Sequence, residues 1–143
     1  MSSRTAPDAA DRLHSVAIHL LRRLRREDDA SGLPAPQLSA LSVLVFVGPQ
    51  TLGALAAAEQ VRPPTITRLI KTLEAAGLVE RQVDPDDRRI SRIEATTRGA
   101  RLLHEGRRRR VASLNASLRR LSARDRALIL RALPVLEKLA RAD

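Results

Sequence analysis

The sequence predicts a mainly α fold, with six helices and one two-stranded β-wing between the fourth and fifth. Three observations point to it. Apolar residues recur at three- and four-residue spacing over most of the chain, the pattern of helices with one buried face. That pattern gives way to strand-like runs only around Asp84-Pro85-Asp86-Asp87, an acidic, proline-containing turn. Phe46 is the single aromatic residue, so the core falls to Leu, Val, Ile and Ala, which suits helix packing.

Residues 1–10, small and polar, read as a flexible N-terminus, and 11–143 as a single domain, a length that supports a core of its own. Over residues 11–26, Leu13, Ala17, Leu20, Leu21 and Leu24 form a stripe opposite Arg22, Arg23 and Arg26. Ser31-Gly32-Leu33-Pro34-Ala35-Pro36 breaks the chain. A second helix over about 37–47 places Leu38, Leu41 and Val45 on one face and ends at Gly48-Pro49.

Thr51 caps a short third helix that buries Leu52, Leu55 and Ala56. Its capping box is incomplete, because Ala54 stands where an acid would reach back. The fourth helix starts after Val61, with Pro63 in its first turn, where a missing N–H costs nothing. It ends at Ala76-Gly77, a glycine placed for a left-handed cap.

Residues 78–83 and 90–95 read as the two strands. Thr96 or Thr97 opens a long helix to about Leu121, and Ser122-Ala123-Arg124-Asp125 starts the last in capping-box style. Leu128, Ala132, Leu133, Leu136 and Leu139 make that helix amphipathic, and Pro134 inside it predicts a kink. Helices over about 11–28 and 97–143 thus flank a helix–hairpin unit over about 37–96.

Composition narrows the function. A net charge of +10 favours a polyanionic partner, with an anionic membrane surface as the competing reading. A basic membrane-binding helix would carry Trp or Phe on its apolar face, and this chain has one Phe. With no cysteine, disulfides and thiolate metal sites are excluded. His14, His19 and His104 are scattered, so neither a metal site nor a cofactor is expected. No phosphate loop or nucleophile motif suggests an enzyme. No apolar run is long enough to span a bilayer and no signal core follows Met1, so the expected location is the cytoplasm.

The fourth helix turns Ile66, Leu69, Ile70 and Leu73 inward and leaves Pro64, Thr65, Thr67, Arg68, Lys71 and Thr72 outside. Those side chains suit a major groove: Arg pairs with guanine, threonine methyls meet thymine, and hydroxyls hold phosphates. Alone, the helix would be an ordinary amphipathic one. Its context is three short helices followed by a hairpin with Arg88 and Arg89 at the tip, which is helix-turn-helix geometry with a wing. Narrow minor grooves attract inserted arginine, and Asp87 is placed to hold one guanidinium in a bidentate pair.

Thr51-Leu52-Gly53-Ala54-Leu55-Ala56, Val61-Arg62-Pro63-Pro64-Thr65-Ile66-Thr67-Arg68-Leu69 and Leu73-Glu74-Ala75-Ala76-Gly77-Leu78-Val79 together resemble the MarR family of bacterial transcriptional regulators. Asp87-Arg88-Arg89, with Thr96 and Gly99 behind, resembles that family's wing signature. Ala54 and Ala95 depart from it, where Glu and Leu are usual. The resemblance implies a winged helix-turn-helix with a helical dimerisation region, in which the first, fifth and sixth helices of a homodimer interlock. It implies a repressor on a palindromic operator in double-stranded DNA, often released by a small anionic effector. Arg62, Pro64, Thr65, Thr67, Arg68, Lys71, Arg88 and Arg89 then form the DNA-binding set, with Asp87 as wing support and Arg89 entering the groove. Such a protein works in the bacterial cytoplasm, on the nucleoid.

Charge is unevenly spread. Residues 62–92 carry seven basic and five acidic side chains, whereas 97–121 carry eight arginines against Glu105 alone. Stepping 100° per residue from Leu114 puts Arg107 and Arg110 on the stripe of Leu103, Leu118 and Leu121 and turns Arg108 and Arg109 away. Two arginines in an apolar seam need partners, either acids of another helix or an anionic effector. The alternative to a sequence-specific regulator is a non-specific architectural nucleic-acid-binding protein.

Overall fold

A computed structural model describes residues 6–142. Its elements run α1 (Ala6–Asp28), a 3-10 turn (Asp29–Ser31), α2 (Ala35–Phe46), β1 (Gln50–Thr51), α3 (Leu52–Ala58), α4 (Pro63–Ala75), β2 (Val79–Val83), β3 (Ser91–Ala95), α5 (Thr97–Arg119) and α6 (Ala123–Ala140). Of the N-terminal segment expected to be flexible, residues 1–5 lie outside the described residues, and Ala6 already begins α1. Asp8 sits in the first turn of that helix, where an acid complements the helix dipole.

The core lies under the helix–hairpin unit. Leu41 of α2, Leu55 of α3, Ile66, Ile70 and Leu73 of α4, and Ile93 of β3 are fully buried. The i, i+4, i+7 spacing of the α4 trio puts all three on one stripe. Each such side chain contributes roughly 1.5–3 kcal/mol by leaving water.

Two departures from the sequence reading concern the hairpin's surroundings. The hairpin itself pairs Val79 with Ala95, Arg81 with Ile93 and Val83 with Ser91. A third strand, β1, joins its outer side with Gln50 opposite Ile93 and Thr51 opposite Arg92, giving the order β1-β3-β2. Two residues have no periodicity to read, so β1 exists only through its pairing. The caps follow the expected chemistry: Thr51 Oγ1 accepts the Ala54 N–H at 3.1 Å. Ser122 Oγ accepts the Asp125 N–H at 3.0 Å and donates to the Asp125 carboxylate at 2.8 Å. Asp125 thus closes on the hydroxyl, where a full capping box would close on the backbone.

The second departure is the phase of α5. Leu103 and Gly106 are buried in it, while Ser113 and Ser117 are half-buried. Arg23 of α1 donates to the Ser117 hydroxyl and to the Ser113 carbonyl. Ser113 and Ser117 therefore mark where Arg23 reaches α5, beside Leu114 and Leu118, which are half-buried as well. Arg107, about 100° further round than Gly106, is exposed, whereas Arg109 and Arg110 are half-buried toward α1. Arg110 pairs with Asp28, and Arg109 Nε donates to the Glu27 carbonyl at 3.4 Å. The expectation that Arg107 faces inward and Arg109 outward fails for this reason.

At the other end of α5, Thr96 is its N-cap. Its Oγ1 accepts the Gly99 N–H at 3.1 Å and donates to the Gly77 carbonyl at 2.7 Å. Gly77 has φ 71°, and its N–H donates to the Glu74 carbonyl at 2.9 Å as α4 ends. One hydroxyl thus joins the end of α4 to the start of α5. Gly99 permits the approach, since a Cβ there would lie 2.2 Å from the Leu78 carbonyl oxygen.

α6 buries none of its residues within the chain, and Leu128, Leu133, Leu136 and Leu139 stand exposed along it. Gly99→Ala is expected to lower stability by about 1–3 kcal/mol, the range for overpacking. Urea unfolding checks this, and an unchanged midpoint would mean that the α4–α5 junction tolerates a wider separation.

Candidate nucleic-acid interface

The outer face of α4 begins at two prolines. Pro63 and Pro64 occupy its first turn, with Arg62 as the N-cap residue, so φ is preset there and no backbone N–H is wasted. Arg62, Pro64, Thr65, Arg68 and Lys71 are exposed and Thr67 is half-buried. Pro63, Pro64, Thr67, Arg68 and Lys71 line one shallow depression. Pro64, Thr67, Arg68 and Lys71 of the expected set therefore share one surface, while Arg62 and Thr65 are exposed outside that depression.

The threonines need a finer reading. Thr67 Oγ1 donates to the Pro63 carbonyl at 2.9 Å, and Thr72 Oγ1 to the Arg68 carbonyl at 3.1 Å. Their hydroxyl protons are committed to the helix's own backbone. In this arrangement the two threonines present a methyl group and acceptor lone pairs outward. Thr65 makes no such bond among the described residues and keeps its donor.

The hairpin tip is built around two aspartates. Asp84 Oδ1 accepts the N–H groups of Asp86 at 2.8 Å and Asp87 at 3.2 Å, the local chemistry that makes aspartate a turn residue. The turn closes where the Asp84 N–H donates to the Ile90 carbonyl at 2.9 Å. Asp87 then holds Arg89 three ways: Oδ1 accepts the Arg89 backbone N–H at 3.0 Å and Nε at 3.1 Å, while Oδ2 accepts Nη2 at 3.2 Å. The Arg89 guanidinium and then its backbone N–H hold the Asp87 carboxyl below the usual carboxylate range.

The Arg89 side chain is nevertheless 91% exposed. A bidentate clasp on an exposed arginine adds little stability but fixes a direction. Arg88 beside it is also exposed.

Sequence spacing did not reveal the ion pair of Glu74 on α4 with Arg81 on β2, at 2.9 Å. It ties the hairpin to the helix, and seven residues of separation across a turn leave no period to detect. The charge balance, by contrast, reads directly from the sequence. Across residues 34–96, seven basic side chains (Arg62, Arg68, Lys71, Arg81, Arg88, Arg89, Arg92) meet seven acidic ones (Glu59, Glu74, Glu80, Asp84, Asp86, Asp87, Glu94). The whole head is neutral.

The model of the MarR family matches residues 33–91, from the end of the loop before α2 to the first residue of β3. HTH-type transcriptional regulators of Mycobacterium bovis and Mycobacterium leprae are each 37% identical over 120 residues, covering 84% of this chain and 84% of theirs. The chain belongs to the MarR family. Solved members extend the likeness beyond the head. A MarR family protein from Bacillus stearothermophilus is 27% identical, with a TM-score of 0.79 over 99% of both chains. A transcriptional regulator from Thermotoga maritima is 26% identical, with a TM-score of 0.81 over 91% of this chain and 92% of its own. The family and these relatives are transcriptional regulators, not enzymes.

For this MarR protein the wing clasp has a definite pH sign. A depressed folded-state carboxyl stabilises above its unfolded pKa, and that contribution is lost as pH falls through the lowered value. Carbon-detected NMR titration should find Asp87 below the ordinary range, and Arg89→Ala, which removes the guanidinium and keeps the backbone N–H, should raise it. Equal values in the two proteins would dissolve the clasp.

Proposed function

We propose that the protein is a sequence-specific repressor that binds a palindromic operator as a homodimer. The observation that carries this reading is the fixed arginine of the wing beside the exposed face of α4. In this reading Arg68 and Lys71 reach base edges or phosphates in the major groove, Pro64, Thr65 and Thr67 contact thymine methyls and adjacent backbone, and Arg62 holds a flanking phosphate. Arg89, aimed by Asp87, enters the neighbouring minor groove with Arg88 at its rim.

Homodimerisation is supported by the apolar surface that one chain leaves uncovered: Leu13, Leu20 and Leu21 on α1, Leu121 after α5, and most of α6. A monomeric soluble protein rarely exposes so much, and an isologous interface covers the same surface on both copies. Two-fold symmetry then asks for two half-sites. A neutral head supports specific placement over bulk attraction, which is the mode of an architectural binder. The working location is the cytoplasm, on the nucleoid. Among the described residues no helix is long and apolar enough to cross a membrane.

Selection from randomised duplexes at moderate salt is the direct test. The expected result is one palindrome, bound by about 10³-fold or more over random DNA, with Arg89→Ala lowering affinity strongly while leaving the fold intact. Steeply salt-dependent binding with no preferred sequence would replace this reading with the architectural one.

Release by a small anionic effector belongs to the same proposal. A cavity of about 550 Å³ lies between α1, α2 and α5, walled by Leu21, Leu24, Leu33, Leu38, Phe46 and Leu103, with Asp28 and Arg110 in its lining. Arg107 is not among the lining residues, whereas Arg25 and Arg110 are; of the two arginines singled out from the sequence only Arg110 reaches the cavity, and Asp28 partners its charge. Taking benzoate as the probe, the Arg107→Gln/Arg110→Gln variant should keep operator affinity and lose benzoate-induced release. Full release by that variant would end the effector assignment for both arginines.

A further inference from the structure

The flank of α5 turned toward the 3-10 turn carries a second concavity, of about 430 Å³, lined by Ala30, Ser31, Arg98, Arg101, Leu102, Glu105 and Arg109. It shares no lining residue with the larger cavity between α1, α2 and α5. Its polar groups are nearly all donors. Among the described residues, none of Arg98, Arg101 and Arg109 takes part in an ion pair. Glu105, the only acid in the lining, is engaged by Arg108 at 3.9 Å.

Ser31 Oγ accepts the Leu33 N–H at 3.1 Å, which leaves its own proton free to donate. Arg109 is half-buried and oriented by the Glu27 carbonyl. Arg98 lies against the turn after α4: a Cβ built on Gly77 would be 3.6 Å from its Nη1.

We propose that this concavity is an oxyanion site for a phosphate group. Guanidinium forks match phosphate oxygens in charge and geometry, and a phosphate accepts from several donors at once. Three guanidiniums without ion pairs among the described residues and one free hydroxyl around a concave floor meet that requirement, and the half-buried Leu102 is the apolar side chain of the lining beside Ala30. The position gives the site a consequence. Arg98 stands at the C-terminal end of α4, where the helix dipole attracts a cation, so an oxyanion that draws on Arg98 acts on the joint between α4 and α5. That consequence, unlike the site itself, rests on α4 being the reading helix. The phosphate has two sources, a free phosphorylated small molecule or the backbone of DNA bound alongside.

The test uses the full chain at constant ionic strength. Sodium pyrophosphate replaces chloride while the Tm is recorded, because a ligand that binds only the native state raises Tm. Arg101→Gln removes one donor that makes no bond within the described residues. Arg120→Gln, exposed and outside the concavity, removes the same charge as a control. If the phosphate is free, the pyrophosphate concentration giving half the Tm shift should rise about tenfold in R101Q, as for loss of one charge-assisted bond, and stay unchanged in R120Q.

If the phosphate belongs to DNA, R101Q should reduce the slope of log affinity against log salt by about 1, and R120Q should not. Indistinguishable behaviour of the two variants in both arms overturns the proposal and leaves α5 with bulk charge alone. Arg89→Ala, read in the DNA arm, tests the wing separately, so failure of the site and failure of the DNA reading are told apart.

Discussion

Everything the head does depends on how closely the start of α5 can approach the turn that ends α4. The Thr96 hydroxyl satisfies a carbonyl of one helix end and an N–H of the other, and the absence of a side chain at Gly99 lets the backbones meet at the Leu78 carbonyl. Helix ends leave backbone groups without intrahelical partners, and here two ends share one side chain. The orientation of α4 is thereby referred to α5 through a short, stiff connection.

Charge and specificity are separated along the same axis. The head balances seven positive side chains with seven negative ones, and its arginines are individually oriented: Arg89 by Asp87, Arg81 by Glu74. Oriented donors distinguish positions, whereas unoriented positive charge attracts any polyanion. The surplus resides on the helices around the head, mostly on α5, where Arg110 is neutralised by Asp28 and Arg98, Arg101 and Arg109 are not paired among the described residues. Net charge alone would have suggested a uniformly basic DNA-facing surface, and the distribution reverses that picture.

The wing illustrates how weak interactions become functional. The contacts that hold Arg89 in the turn are exposed and worth little in stability. Together they restrict one long side chain to a single direction, which would lower the entropy lost on binding in the proposed groove contact. Removing Asp87 would leave an arginine of the same charge without an address.

Much of this was legible in the chain. Capping residues, Gly77, the i, i+4, i+7 stripe of Ile66, Ile70 and Leu73, and the Asp-Pro-Asp-Asp turn announce their elements because they act through local backbone chemistry. The carboxylate two residues before Arg89 likewise announces the clasp. What escaped was set by partners distant in sequence. The two-residue β1 exists only against β3, the Glu74–Arg81 pair only across the turn after α4, and the inward phase of α5 only through what α1 brings to it: Arg23 at Ser113 and Ser117, Glu27 at Arg109 and Asp28 at Arg110. Periodicity counted from leucines placed Leu103 and Arg110 inward correctly and misplaced Arg107 and Arg109, since Arg109 is drawn to the Glu27 carbonyl of α1. The sequence by itself determined the elements, their order and the chemistry of each tip and cap. Only the tertiary structure decided which arginines are paired, which are free, and which helix face meets which, because those outcomes depend on distances between segments that no local pattern encodes.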